Sequence, residues 1–172
     1  MNQPVGKRPH KGVNKETVKN IADPVNRKSY ANATTWAILG GKSFMAKEPV
    51  STLDFLAASM KGIPKLAVDN LAAILNIPMK DMAALLNLSY KTLARKRKTD
   101  VLNNVVSSLS IEIANTIAKG LSVFEDADKF NRWLQKENKA LNGQKPFDLL
   151  NTPTGIKLVS QIIGRIDEGV YS

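Results

Sequence analysis

The sequence predicts an all-α protein, a helix-turn-helix unit followed by a smaller helical unit, on three observations. Apolar residues recur at three- and four-residue spacing through most of the chain after residue 50. The runs are punctuated by glycine, proline or an N-cap residue. No stretch alternates apolar and polar residues over the length of a strand.

Residues 1–30 are polar and basic and lack apolar periodicity, so they cannot bury enough surface to offset ordering entropy. They are expected to form a disordered arm that ends by residue 33. Lys7, Arg8, Lys11 and Lys15 either follow a nucleic-acid groove or serve as a solvated tail. A short helix is expected over 34–41, stopped by Gly40 and Gly41. Ser51 caps the next helix with Asp54 three residues on, and Leu53, Phe55, Leu56 and Met60 are expected to form its buried stripe. Gly62 ends it. Pro64 opens a helix carrying Leu66, Val68, Leu71, Ile74 and Leu75.

Pro78 opens a short helix with Met82, Leu85 and Leu86 facing inward. Asn87-Leu88-Ser89 breaks it, and a second short helix is expected from Tyr90 to Lys98. Residues 100–124 read as one long helix on Leu102, Val105, Val106, Leu109, Ile113, Ile117 and Leu121, with Gly120 marking a bend. Asp126 caps a helix with Phe130, Trp133 and Leu134. After the Asn142-Gly143 turn comes a helical turn at Pro146. Thr152-Pro153 starts a final helix with Ile156, Val159, Ile162, Ile163 and Ile166 on one face, closed by Gly169.

Charge divides the chain functionally. The formal net charge is +10, and the excess lies in residues 1–30 and 61–100, at +5 each, while residues 125–172 are neutral with seven bases and seven acids. A polyanion-binding part joined to a protein-binding part distributes charge in this way. The chain has no cysteine and one histidine, His10, which lies in the arm. With no Gly-rich phosphate loop after a strand and no paired carboxylates at site-like spacing, neither an enzyme nor a cofactor or metal site is expected. No signal-like segment opens the chain and no apolar run reaches a bilayer span, so a cytoplasmic location without membrane contact is expected.

Met79 to Lys98 has the pattern of a DNA-binding helix-turn-helix. Ala83 is small where the two helices cross, Leu88 plugs the angle between them, and Leu93 anchors the second helix. Ser89, Tyr90, Lys91, Thr92, Arg95 and Lys96 then face outward. Ser89 and the first-turn N–H groups suit phosphate, Arg95 suits the O6/N7 edge of guanine, and Lys96, Arg97 and Lys98 suit backbone phosphates.

The segment GIPKLAVDNLAAILNIPMKDMAALLNLSYKTLARKRK, with its Thr92-Leu93-x-Arg95, and the ordered positions Phe124, Glu125, Trp133, Leu134, Asn138, Leu141, Gly143, Pro146, Leu149, Leu150, Thr152, Gly155, Arg165, Ile166 and Gly169 resemble the Xre/MbcA/ParS antitoxin family. The resemblance covers roughly residues 35–172. It departs from the family pattern at Leu102–Ser108, where the arginine usual near the start of the long helix is absent, and in the basic N-terminal extension.

The resemblance implies an Xre-like helix-turn-helix domain over 34–122 and a toxin-binding domain over 123–172. It further implies a RES-domain toxin that consumes NAD as partner, operator DNA bound for self-repression, and a homodimer within the toxin–antitoxin complex. Toxin contacts carried over from the resemblance are Trp133, Asn138, Leu141 and Pro146, together with a C-terminal plug of Arg165, Asp167, Glu168, Val170, Tyr171 and Ser172. The alternative is a stand-alone transcriptional regulator whose last third dimerises or senses a ligand.

Overall fold

The structure, a computed structural model, describes residues 27–169. Its helices are α1 (Arg27–Leu39), α2 (Thr52–Lys61), α3 (Lys65–Ile74), α4 (Met79–Leu85), α5 (Tyr90–Ala94), α6 (Asn104–Phe124), α7 (Ala127–Leu134) and α8 (Pro153–Asp167), with 3-10 turns at Gly41–Ser43, Lys139–Leu141 and Pro146–Leu149. Among the described residues the only extended pairing is an isolated bridge between Pro64 and Val101, so the all-α expectation holds there. None of their helices is long and apolar enough to cross a membrane.

Helix α6 organises the molecule. Asn103 caps it by accepting from Val106 N at 2.9 Å. Eleven of its 21 residues are buried, from Val106 to Leu121. It packs against α1, α2, α3, α7 and α8. Three of the buried residues are hydroxylated, and each has its hydrogen bond: Ser107 Oγ accepts from Ile63 N at 3.0 Å, while Ser110 and Thr116 donate to carbonyls one turn back.

Several sequence expectations change. The first helix begins at Arg27, inside the segment expected to be part of the arm, and ends at Leu39 before Gly40 and Gly41, both at positive φ. Thr34, Thr35, Ile38 and Leu39 in this helix are buried. A nucleated helix propagates at little cost into neighbouring residues without an apolar stripe, which periodicity does not reveal. Residues 1–26 lie outside the described part.

In α2 only Phe55 and Ser59 are buried, whereas Leu53, Leu56 and Met60 are exposed. The helix carries apolar residues on two faces; of the expected stripe, Phe55 lies on the covered face and Leu53, Leu56 and Met60 lie on the outward one. Pro64 and Pro78 stand at N-cap positions, one residue before the first helical turn. The long helix starts at Asn104 rather than 100, leaving Leu102 buried in the preceding loop and Val105 exposed.

Candidate functional site

The first candidate surface is built on α4 and α5. Met82, Ala83, Leu85 and Leu86 are buried, Leu93 is fully buried, and Leu88 is half-buried between the helices. Asn87, at φ 55, makes the turn. Asparagine tolerates this left-handed conformation better than most residues. Ser89 then caps α5, its Oγ accepting from Thr92 N at 3.0 Å and lying 2.7 Å from Thr92 Oγ1.

The second helix is shorter than expected, ending at Ala94 with Arg95 as C-cap. Lys96, Arg97 and Lys98 therefore belong to the following loop. That loop is tied down: Arg97 Nε pairs with Asp100 Oδ1 at 3.0 Å, Arg97 N donates to Asp100 Oδ2 at 2.9 Å, and Leu66 N donates to Lys98 O at 2.9 Å. The Arg97 backbone N–H, followed by its guanidinium, holds the Asp100 carboxyl below the ordinary range. Tyr90, Lys91, Thr92, Arg95, Arg97 and Lys98 are exposed, and Lys96 is half-buried. One short helix and one braced loop thus present a basic surface. Ser89 and Thr92 spend part of their hydrogen-bonding capacity on each other.

The second candidate surface lies on α7 and α8. Phe130 is buried, its ring centroid 5.6 Å from that of Phe124 and 6.0 Å from that of Trp133. Trp133 is half-buried, with one part in this cluster. Asn138 works inside its own loop: its Oδ1 accepts from Ala140 N at 2.9 Å and its backbone pairs with Gln144 and Gly143. Leu141 and Pro146 are buried. Of these three, carried over as toxin contacts, the apolar pair is buried and the asparagine closes the turn. Arg165, Asp167 and Glu168 are exposed at the end of α8. Val170, Tyr171 and Ser172 lie outside the described residues.

Helix α8 is capped by Thr152, whose Oγ1 accepts from Gly155 N at 3.1 Å. Ile156, Val159 and Ile163 are buried, but Ile162 and Ile166 are only half-buried and Leu158 is exposed. Leu158, Ile162 and Ile166 recur every four residues, giving an apolar stripe that runs toward the C-terminus. Sequence reading missed Leu158 as part of it; the four-residue repeat with Ile162 and Ile166 was the available signal.

The two surfaces are held in one body. Asn87 Nδ2 donates to Asn151 O and Asn131 Nδ2 to Ile74 O, both at 2.9 Å, and Lys119 Nζ donates to Ser160 O at 2.6 Å. A cleft of about 430 Å³ lies between α1, α2, α6 and α8, with Thr35, Phe55, Glu112, Asn115, Lys119 and Ser160 on its walls. Glu112 sits at its rim, and partial desolvation there pushes its carboxyl above the usual range.

Two family models match the chain. One, described as the antitoxin Xre-like helix-turn-helix domain, matches residues 54–115. The other, described as the antitoxin Xre/MbcA/ParS C-terminal toxin-binding domain, matches residues 119–169. Among solved structures, a chain from the crystal structure of the M.tuberculosis MbcT-MbcA toxin-antitoxin complex is similar at 22% identity and a TM-score of 0.47, over 72% of this chain and 100% of that one. No curated protein matches the chain.

Proposed function

Since the chain belongs to the Xre/MbcA/ParS antitoxin family, we propose that it neutralises a RES-domain, NAD-consuming toxin with α7, α8 and its last residues, and represses its own operon by binding operator DNA with α4 and α5. It does this in the cytoplasm, as a homodimer and without enzymatic activity of its own.

The observation that carries the reading is the separation of two unlike surfaces on one body. A basic, exposed edge at Lys91, Arg95 and Arg97 suits nucleic acid. The apolar stripe Leu158, Ile162 and Ile166, with the half-buried Trp133, suits a protein surface. The stripe leads to Arg165, Asp167 and Glu168 and then to Val170, Tyr171 and Ser172, the plug proposed to enter the toxin's nucleotide-shaped cleft. An aromatic ring, acids and a terminal carboxylate fit a basic pocket of that kind.

The test is co-expression with the product of the adjacent gene, tagging only that product. A stable complex in which NAD consumption is suppressed supports the antitoxin reading. No complex, together with tight operator binding by the chain alone, leaves the stand-alone regulator.

Two variants separate the roles. Deleting Val170 to Ser172 is expected to leave the thermal midpoint unchanged while weakening suppression of NAD consumption by tenfold or more; undiminished suppression removes the plug from the mechanism. Arg95→Ala is expected to weaken specific operator binding by roughly ten- to a hundredfold, the range for one lost arginine–guanine pair. Neutralisation should be intact, and a parallel loss of both activities would make Arg95 a structural residue.

A further inference from the structure

We propose that the cleft between α1, α2, α6 and α8 binds a short zwitterionic peptide, about three residues long and with both termini free. The site is separate from the toxin and operator surfaces and does not depend on either.

One wall of the cleft is a stripe of α6. Glu112, Asn115 and Lys119 stand at i, i+3 and i+7, so all three fall on the same side of that helix. Buried Phe55, Ala118 and Ile156 supply an apolar lining. At about 430 Å³ the cleft falls within the size range of small-molecule sites.

Two opposite charges face this space without a counter-ion. Among the described residues the ion pairs are Lys65–Asp69 and Arg97–Asp100, and neither Glu112 nor Lys119 takes part. Partial desolvation penalises the Glu112 carboxylate, and a ligand cation would offset that penalty. Lys119 is held by neutral groups: its ammonium donates to Ser160 O at 2.6 Å and lies 3.5 Å from Ser160 Oγ. An ammonium has three donors, so capacity for an anion is left. Helix α8 also makes room for it, since a Cβ on Gly164 would stand 3.0 Å from Lys119 Nζ. Asp167, which also lines the cleft, is already engaged in an interaction of its own.

The spacing of the charges sets the length of the ligand. Seven residues of helix advance about 10 Å, and three residues of extended chain span about the same distance. Between the charges lie groups suited to a peptide backbone. Asn115 Oδ1 accepts from Thr35 Oγ1 at 2.9 Å. That leaves the Asn115 amide N–H groups for a ligand carbonyl and the Thr35 oxygen for a ligand N–H. Charge rejects the main competitors: a polyphosphate would meet Glu112, and a polyamine would meet Lys119. The peptide therefore lies with its ammonium at Glu112 and its carboxylate at Lys119.

The test is isothermal titration calorimetry of the full-length chain with trialanine, its N-acetyl form and its C-terminal amide. Trialanine is expected to bind with a Kd of about 0.2 mM, the range that a ligand of its size allows. Acetylation and amidation should each weaken binding by about tenfold, because each removes one charge-assisted contact. Glu112→Gln should abolish the penalty for acetylation and keep that for amidation; Lys119→Met should do the reverse. The thermal midpoint shows whether each variant folds, and where one does not, the three peptides on the natural chain decide. The proposal is overturned if trialanine fails to bind at millimolar concentration, or if the blocked peptides bind as tightly as the free one. It is also overturned if a variant weakens all three peptides equally or leaves both penalties in place.

Discussion

Gly155→Ala is expected to destabilise the chain by about 3 kcal/mol, the upper end of what overpacking in a fitted interior costs. A Cβ on Gly155 would stand 2.0 Å from Leu149 O, 2.8 Å from Leu149 C and 2.9 Å from Thr152 Oγ1. The obstruction is mainly backbone, so a rotamer change cannot relieve it. Either α8 withdraws and loses the Thr152 cap, or the Pro146–Leu149 turn moves and drags the buried Leu150 out. Urea denaturation would measure the loss. Thr152→Ala serves as control, since it removes the cap alone and should cost about 1 kcal/mol. A Gly155→Ala variant no less stable than this control would show that the close approach of turn and helix is not what the glycine provides. On the proposed function, toxin neutralisation falls with stability, because this turn and helix carry the apolar stripe.

Phe130→Ala should cost about 3–5 kcal/mol, as for other aromatic rings removed from cores. The ring is buried between Phe124 and Trp133, and ring pairs in such contact add stabilisation beyond their area. Its seat is Gly120, where a Cβ would stand 2.2 Å from the ring. The expected outcome is therefore a pattern: Gly120→Ala destabilises the natural chain, but in the Phe130→Ala background it is neutral or gains up to about 1 kcal/mol of helix propensity. Thermal denaturation of the four chains checks it. A Gly120→Ala cost that is equal in both backgrounds would mean that the glycine serves something other than the ring.

These two glycines show where the sequence was legible and where it was not. Caps and breakers act locally, so Thr152, Asp126 and Ser89 stand where the sequence places them. Gly120 was read as a bend, because its partner Phe130 belongs to the next helix and no local pattern connects them. The same limit explains α2. Leu53, Leu56 and Met60 satisfy a helical stripe as well as any core residues, and only the docking of Phe55 and Ser59 decides which face is covered. The form of the basic segment was not legible, because the Arg97–Asp100 pair that makes Lys96–Lys98 a loop competes with helix continuation. Among the toxin contacts carried over by resemblance, Leu141 and Pro146 are buried, which a motif position does not reveal by itself.

The two regions matched by the family models meet inside α6, at residues 115 and 119, with no linker between them. A ribosome making this chain therefore cannot finish the helix-turn-helix unit before starting the next one. The α1, α2 and α3 helices wait for the helix that Asn104 begins and Phe124 ends. A nascent chain stalled in the middle of α6 lacks the buried residues from Ile113 to Leu121 that complete its core. Translation is thereby made all-or-none: a message cut short in α6 yields neither matched region with its core complete.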